Sequence, residues 1–118
     1  VLDKRLPDFL RGRLRPMVLE FLRENDVRFD DLAAFAIHPG GRKVMDVAEE
    51  ELGLSPAQLE PSRSVLRDHG NMSSATIVFV LERVLHSLSP GAFALGIGFG
   101  PGFAIELSLW RGLSTDAH

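Results

Sequence analysis

The 118-residue chain has no cysteine. Disulfides, thiolate metal sites and a cysteine nucleophile on this polypeptide are thereby excluded. Net charge is small, −3 with the histidines neutral, which makes no case for nucleic acid as the main partner. No apolar run approaches the ~18 residues needed to cross a membrane, and no signal peptide is visible. No membrane partner is expected, and a cytoplasmic location is the expectation. There is no Gly-x-Ser-x-Gly elbow of the kind that carries a serine hydrolase nucleophile. The four histidines (His38, His69, His86 and His118) lack metal-ligand spacing and no thiolate is available, so no metal site is expected.

What is present fits one domain with a real core. Apolar residues make up 45% of the chain, and a mean hydropathy of +0.07 points to apolar surface meant for a partner. The chain begins at Val1, without methionine or tag, and is expected to be a piece of something longer. Over residues 6–24, Leu10, Leu14, Met17, Val18, Phe21 and Leu22 recur at helical spacing. Pro7 suits a first turn, and Pro16 should bend this helix or start a new one. Arg5, Arg11, Arg13 and Arg15 interleave with Asp3, Asp8 and Glu20, so a solvated face is the better reading than a phosphate-binding patch.

Residues 32–37 read as a short buried strand ending on His38-Pro39-Gly40-Gly41, with a helical pattern opening at Arg42. A titratable ring where a buried strand hands over to a helix is where open α/β folds place their sites. Proline fixes one backbone angle, and the glycines allow a turn and close approach of a ligand. A loop with a capping histidine explains the same residues. The helix runs to about Leu52, with Gly53 as its stop. A short turn-like helix starts at Ser55-Pro56, and Glu60-Pro61-Ser62 restarts another to about His69.

Gly70-Asn71-Met72-Ser73-Ser74 opens the most apolar helix of the chain. Ile77, Val80, Leu81, Val84, Leu85 and Leu88 form its stripe, with Val78 and Phe79 off it. Burial on several sides, in a middle layer, is expected. Asn71, Ser73 and Ser74 are good N-caps; alternatively, an amide and free backbone N–H groups at a buried helix start suit a thioester carbonyl or an oxyanion. Residues 93–99 and 103–110 read as two strands joined by Gly100-Pro101-Gly102, and 114–118 as a frayed tail. The glycine series from Gly96 to Gly102 is not a dinucleotide fingerprint, since no helix follows it. Its glycines suggest close approach of another backbone or a ligand. Taken together, His38 and Asn71 are two polar groups in an apolar setting, suited to polarising a carbonyl.

Ala36-Ile37-His38-Pro39-Gly40-Gly41, Gly70-Asn71-Met72-Ser73-Ser74 and Gly98-Phe99-Gly100-Pro101-Gly102 occur in this order, with Pro61-Ser62-Arg63-Ser64-Val65-Leu66 between the first two. This set resembles the C-terminal half of type III polyketide synthases, the chalcone and stilbene synthases, over nearly the whole chain. The resemblance implies a single partial domain over 1–118. Its fold would be half of a thiolase-like αβαβα layered sandwich, with a mixed sheet, a C-terminal β-hairpin and a buried central helix. It implies homodimers that join an acyl-CoA starter to malonyl-CoA units by decarboxylative Claisen condensation, using coenzyme A thioesters as substrates and no other cofactor. His38 and Asn71 would be two members of a Cys-His-Asn triad, holding the malonyl thioester carbonyl and the enolate left by CO2 loss. His38 would also keep the cysteine as a thiolate. Gly40, Gly41 and Ser73 would line the active site. Lys43 would lie by the pantetheine tunnel, and Gly98, Phe99, Gly100, Pro101 and Gly102 would shape the cavity.

Two departures accompany the resemblance. The family nucleophile is a cysteine of the N-terminal half, and the match starts after the first strands of the C-terminal half. The chain is therefore expected to be truncated and inactive alone. His69 stands where the family more often has an aromatic residue. A ketoacyl-carrier-protein synthase III is a poorer match, because its motifs are of the His-Gln-Ala-Asn and Gly-Asn-Thr-Ser type. A non-catalytic half-domain for pairing or acyl-CoA binding is the rival of a different class.

Overall fold

The computed structural model describes residues 4–38, 40–69 and 74–113. The expected tail over 114–118 lies outside the described residues. The chain opens with two short helices, α1 (Leu6–Leu10) and α2 (Leu14–Glu24). Leu6, Leu10, Leu14, Val18 and Leu22 are all buried, so the apolar stripe persists across the break between them. The single helix expected over 6–24 is divided at Gly12, whose φ of +74° places it in the left-handed region. Pro16 falls in the first turn of α2, where a missing N–H costs no hydrogen bond.

The start of α2 has no cap from its own N-cap residue, Arg13. Glu51 supplies one from a distance. Its carboxylate accepts the backbone N–H groups of Gly12 (3.0 Å) and Arg15 (3.3 Å), and a negative charge there also suits the helix dipole. Glu51→Ala is expected to cost about 1 kcal/mol, the loss typical of an N-cap. A urea midpoint equal to that of the unaltered chain would contradict this assignment.

After a 3-10 turn, β1 (Leu32–Ile37) leads into α3 (Arg42–Leu52), α4 (Pro56–His69), α5 (Ser74–Ser87) and the strands β2 (Phe93–Phe99) and β3 (Ile105–Arg111). The sheet has the order β1-β2-β3, with β1 and β2 parallel and β2 and β3 antiparallel. The mixed sheet with a C-terminal hairpin is therefore present. Parallel pairing requires a crossover, and α3, α4 and α5 provide it.

Strand alternation assigns the layers. Phe35, Ile37, Leu95 and Ile97 pack into the core shared with α1, α2 and α3. Ala36 and Ala94 face the other way, against Val65 of α4 and Val80 and Val84 of α5. Small residues on this second face let helices approach closely. Gly96 is constrained by the neighbouring strand instead: a Cβ there would run into the Ser108 hydroxyl and lie 3.1 Å from the Trp110 indole nitrogen, both on β3.

Two boundaries and one burial pattern differ from the sequence expectation. Residues 56–69 form one helix across Pro61 rather than two. Between β2 and β3 the chain makes a 3-10 turn, Pro101–Phe103, so β3 begins at Ile105. The central helix α5 buries Val80 and Val84, but Val78 is 60% and Phe79 39% exposed. Among the described residues there is one sheet, and it covers one side of α5, whereas the sequence predicts burial on several sides. Among the described residues, no helix is long and apolar enough to cross a membrane.

Candidate active site

Both parallel strands end at the same edge of the sheet, and several of the sequence-predicted residues lie there. His38 follows the last residue of β1, and its N–H donates to the Ile97 carbonyl at 2.8 Å, adding a rung beyond the strand. The side chain is buried, with 3% exposure. One residue earlier, the Ile37 N–H faces away from β2 and donates to Ser62 Oγ at 3.1 Å. Ser62 is fully buried on α4, so a hydroxyl takes the place of a neighbouring strand and fixes the end of β1. Sequence reading gave Ser62 no role beyond membership of a motif. Its signal was a serine placed directly after a proline inside a helical stretch.

Beyond His38 the backbone turns, with the Gly40 N–H donating to the His38 carbonyl at 2.9 Å. Gly41 precedes α3 at φ +136°, a conformation side chains rarely adopt, and a Cβ there would meet nothing within 4 Å. Backbone conformation rather than space is what requires glycine at this position. Lys43 lies in the first turn of α3 and is exposed.

From β2, Phe99 presents its ring to His38 in an edge-on arrangement, with centroids 6.4 Å apart and planes at 79°. Gly98 and Phe99 close β2, Gly100 follows, and Pro101 and Gly102 enter the turn. His38, Gly40, Gly41, Gly98, Phe99 and Gly100 thus share one edge of the sheet. Asn71 and Ser73 lie outside the described residues. A groove of about 560 Å³ lined by Met17, Phe21, Ile105 and Leu107 lies between α2 and β3 and includes none of the predicted site residues.

Burial lowers the His38 pKa below the usual histidine value of about 6.5, because the charged form loses water. The ring is therefore neutral at physiological pH. A neutral imidazole has one N–H to donate and one nitrogen to accept a proton, which suits it to holding a carbonyl oxygen or pairing with an acid.

The family model for chalcone and stilbene synthases, C-terminal domain, matches residues 2–114. The chain belongs to the chalcone and stilbene synthase family. It is 37% identical over 112 residues to a putative chalcone synthase of Bacillus subtilis, covering 93% of this chain and 31% of that protein. The alpha-pyrone synthesis polyketide synthase-like Pks18 of Mycobacterium tuberculosis is 35% identical over 108 residues, covering 89% of this chain and 28% of that one. In structure the chain is similar to PKS-I of the brown alga Ectocarpus siliculosus, with a TM-score of 0.84 and 33% identity over 96% of this chain and 32% of that chain. This chalcone synthase-type domain thus has the thiolase-like fold of type III polyketide synthases. It spans roughly a third of the length of these relatives.

Proposed function

We propose that this domain supplies the histidine and asparagine of a type III polyketide synthase, which condenses malonyl-CoA with an acyl-CoA starter. The observation that carries the reading is His38: a buried, neutral imidazole at the carboxyl end of a parallel strand, in a chain of this family. In this mechanism a cysteine on an N-terminal half holds the starter as a thioester, with His38 paired to its sulfur in the free enzyme. Malonyl-CoA then binds with its thioester carbonyl oxygen on the His38 N–H and the Asn71 amide. The carboxylate leaves as CO2, and the electrons of the broken C–C bond move into the thioester to give an enolate. The two donors stabilise the charge that develops on its oxygen. The enolate carbon attacks the acyl carbonyl, and the cysteine leaves as thiolate. Gly40, Gly41 and Ser73 line this site, Lys43 lies near the pantetheine entrance, and the 98–102 stretch shapes the cavity. The assembled enzyme is a homodimer.

The chain has no cysteine, so alone it makes no covalent acyl intermediate. The purified chain is expected to give no condensed product from malonyl-CoA and an acyl-CoA, and to do so once joined to a cysteine-bearing N-terminal half. Condensation by the isolated chain would overturn the assignment. The missing cysteine also favours a second reading, a non-catalytic half-domain that pairs or binds acyl-CoA. Under that reading, acyl-CoA binds the chain but the joined protein makes no product.

A further inference from the structure

The turn between β2 and β3 follows directly on Phe99, and it is built from unfavourable backbone. Gly102 has φ +68° and Phe103 has φ +62°. Glycine accepts that region freely, whereas a residue with a Cβ does so only where surroundings hold it. One hydrogen bond closes the turn from within, the Gly100 N–H to the Ala104 carbonyl at 2.8 Å. The β2–β3 ladder anchors its base, with Phe99 opposite Ile105, and further contacts come from outside the hairpin. The Phe103 ring stacks on Phe9 of α1, with centroids 4.7 Å apart and planes at 15°. Each ring also carries a guanidinium, that of Arg5 5.5 Å from the Phe103 centroid and that of Arg13 4.5 Å from the Phe9 centroid. Cations over aromatic faces add attraction to the stacking itself. Phe9 is half-buried at the margin of the core that Leu6 and Leu10 enter fully.

We infer that Phe9 is a positioning residue for the His38 site: by stacking on Phe103 it fixes the 100–104 turn, and so the Phe99 ring, against the imidazole. Phe9 lies on a helix remote in sequence from every motif residue. Its action runs from α1 through Phe103 and the turn to Phe99. The inference rests on the reading of His38 as the reacting imidazole, but its test does not use the reaction.

The readout is the NMR spectrum of the His38 ring protons in the 118-residue chain. An edge-on aromatic ring shifts those signals and gives cross-peaks between His38 and Phe99. In Phe9→Ala the cross-peaks are expected to be lost and the His38 shifts to move toward free-histidine values, while amide signals of Phe35 and Val47 stay in place. Phe9→Tyr, which keeps the stacking ring, is expected to restore both. Phe103→Gly separates the clamp from the fold: it removes the stacked ring and relieves the positive-φ residue together, and is expected to lose the same cross-peaks. His38–Phe99 cross-peaks retained in Phe9→Ala or in Phe103→Gly overturn the inference, as does a Phe9→Ala spectrum in which the whole sheet shifts together. Should the clamp pass this test and the joined enzyme make no condensed product, the catalytic reading fails and the positioning stands.

Discussion

In the enzyme completed by a cysteine-bearing half, His38→Ala is expected to lower condensation by about 10²–10³-fold, the loss typical of removing one oxyanion donor. The ring is the only part of His38 that can reach a substrate, since its backbone N–H is already committed to Ile97. Decarboxylation of malonyl-CoA should fall along with condensation, because the same N–H holds the carbonyl in both steps. His38→Gln keeps an N–H donor and is expected to retain part of the decarboxylation, while losing the pairing that keeps cysteine as thiolate. The two rates are read as CO2 release and as condensed product; a wild-type rate of either in His38→Ala would remove His38 from the mechanism. The substitution also carries a stability signature. The folded state resists protonating this ring, so between pH 6.5 and the lowered folded value the unfolded chain binds the extra proton. Stability therefore drops as pH falls below about 6.5, and this contribution disappears in His38→Ala. Urea midpoints at pH 7.5 and 5.5 measure the difference.

The second large effect is on the fold. Phe35→Ala is expected to destabilise the chain by about 3–5 kcal/mol, the usual range for deleting a buried aromatic ring. Phe35 is 1% exposed, lies in the parallel register opposite Leu95, and has the Phe29 ring 5.6 Å away. Domains of this size hold only about 5–15 kcal/mol in total. A loss of this size would leave a substantial unfolded population and release β1, taking His38 with it. Denaturant titration followed by far-UV circular dichroism gives the value; a change below 1 kcal/mol would mean that the core between β1 and α3 collapses around the gap.

Much of this architecture can be read from the chain because its periodicities are strong. The apolar stripe through Leu10, Leu14, Val18 and Leu22, the run before His38, the stop at Gly53 and the two C-terminal strands all appear near their expected places. What the sequence conceals is tertiary. The helix break sits at Gly12 rather than Pro16 because Glu51, far along the chain, caps the restart. The expected break at Pro61 is absent, and the Ser64 hydroxyl donates to the Pro61 carbonyl at 3.0 Å in that stretch. The candidate site was visible as His38, Gly40, Gly41 and the 98–102 stretch, since each lies in a motif of unusual composition. Ser62, Phe9 and Phe103 were not, because an isolated hydroxyl or ring carries no sign of what it will meet.

The parallel pairing of β1 with β2 also bears on the order in which the molecule can assemble. β2 and β3 are neighbours along the chain, and a local hairpin closes in about 1–10 μs. Ile37 and Ile97 are opposite each other in the register but separated by the whole helical crossover. Closing that long loop requires its entropy to be lost before any of the pairing is gained. The burial of His38, its lowered pKa and its aromatic neighbour on β2 therefore all depend on that long-range closure. The site exists only in the finished topology.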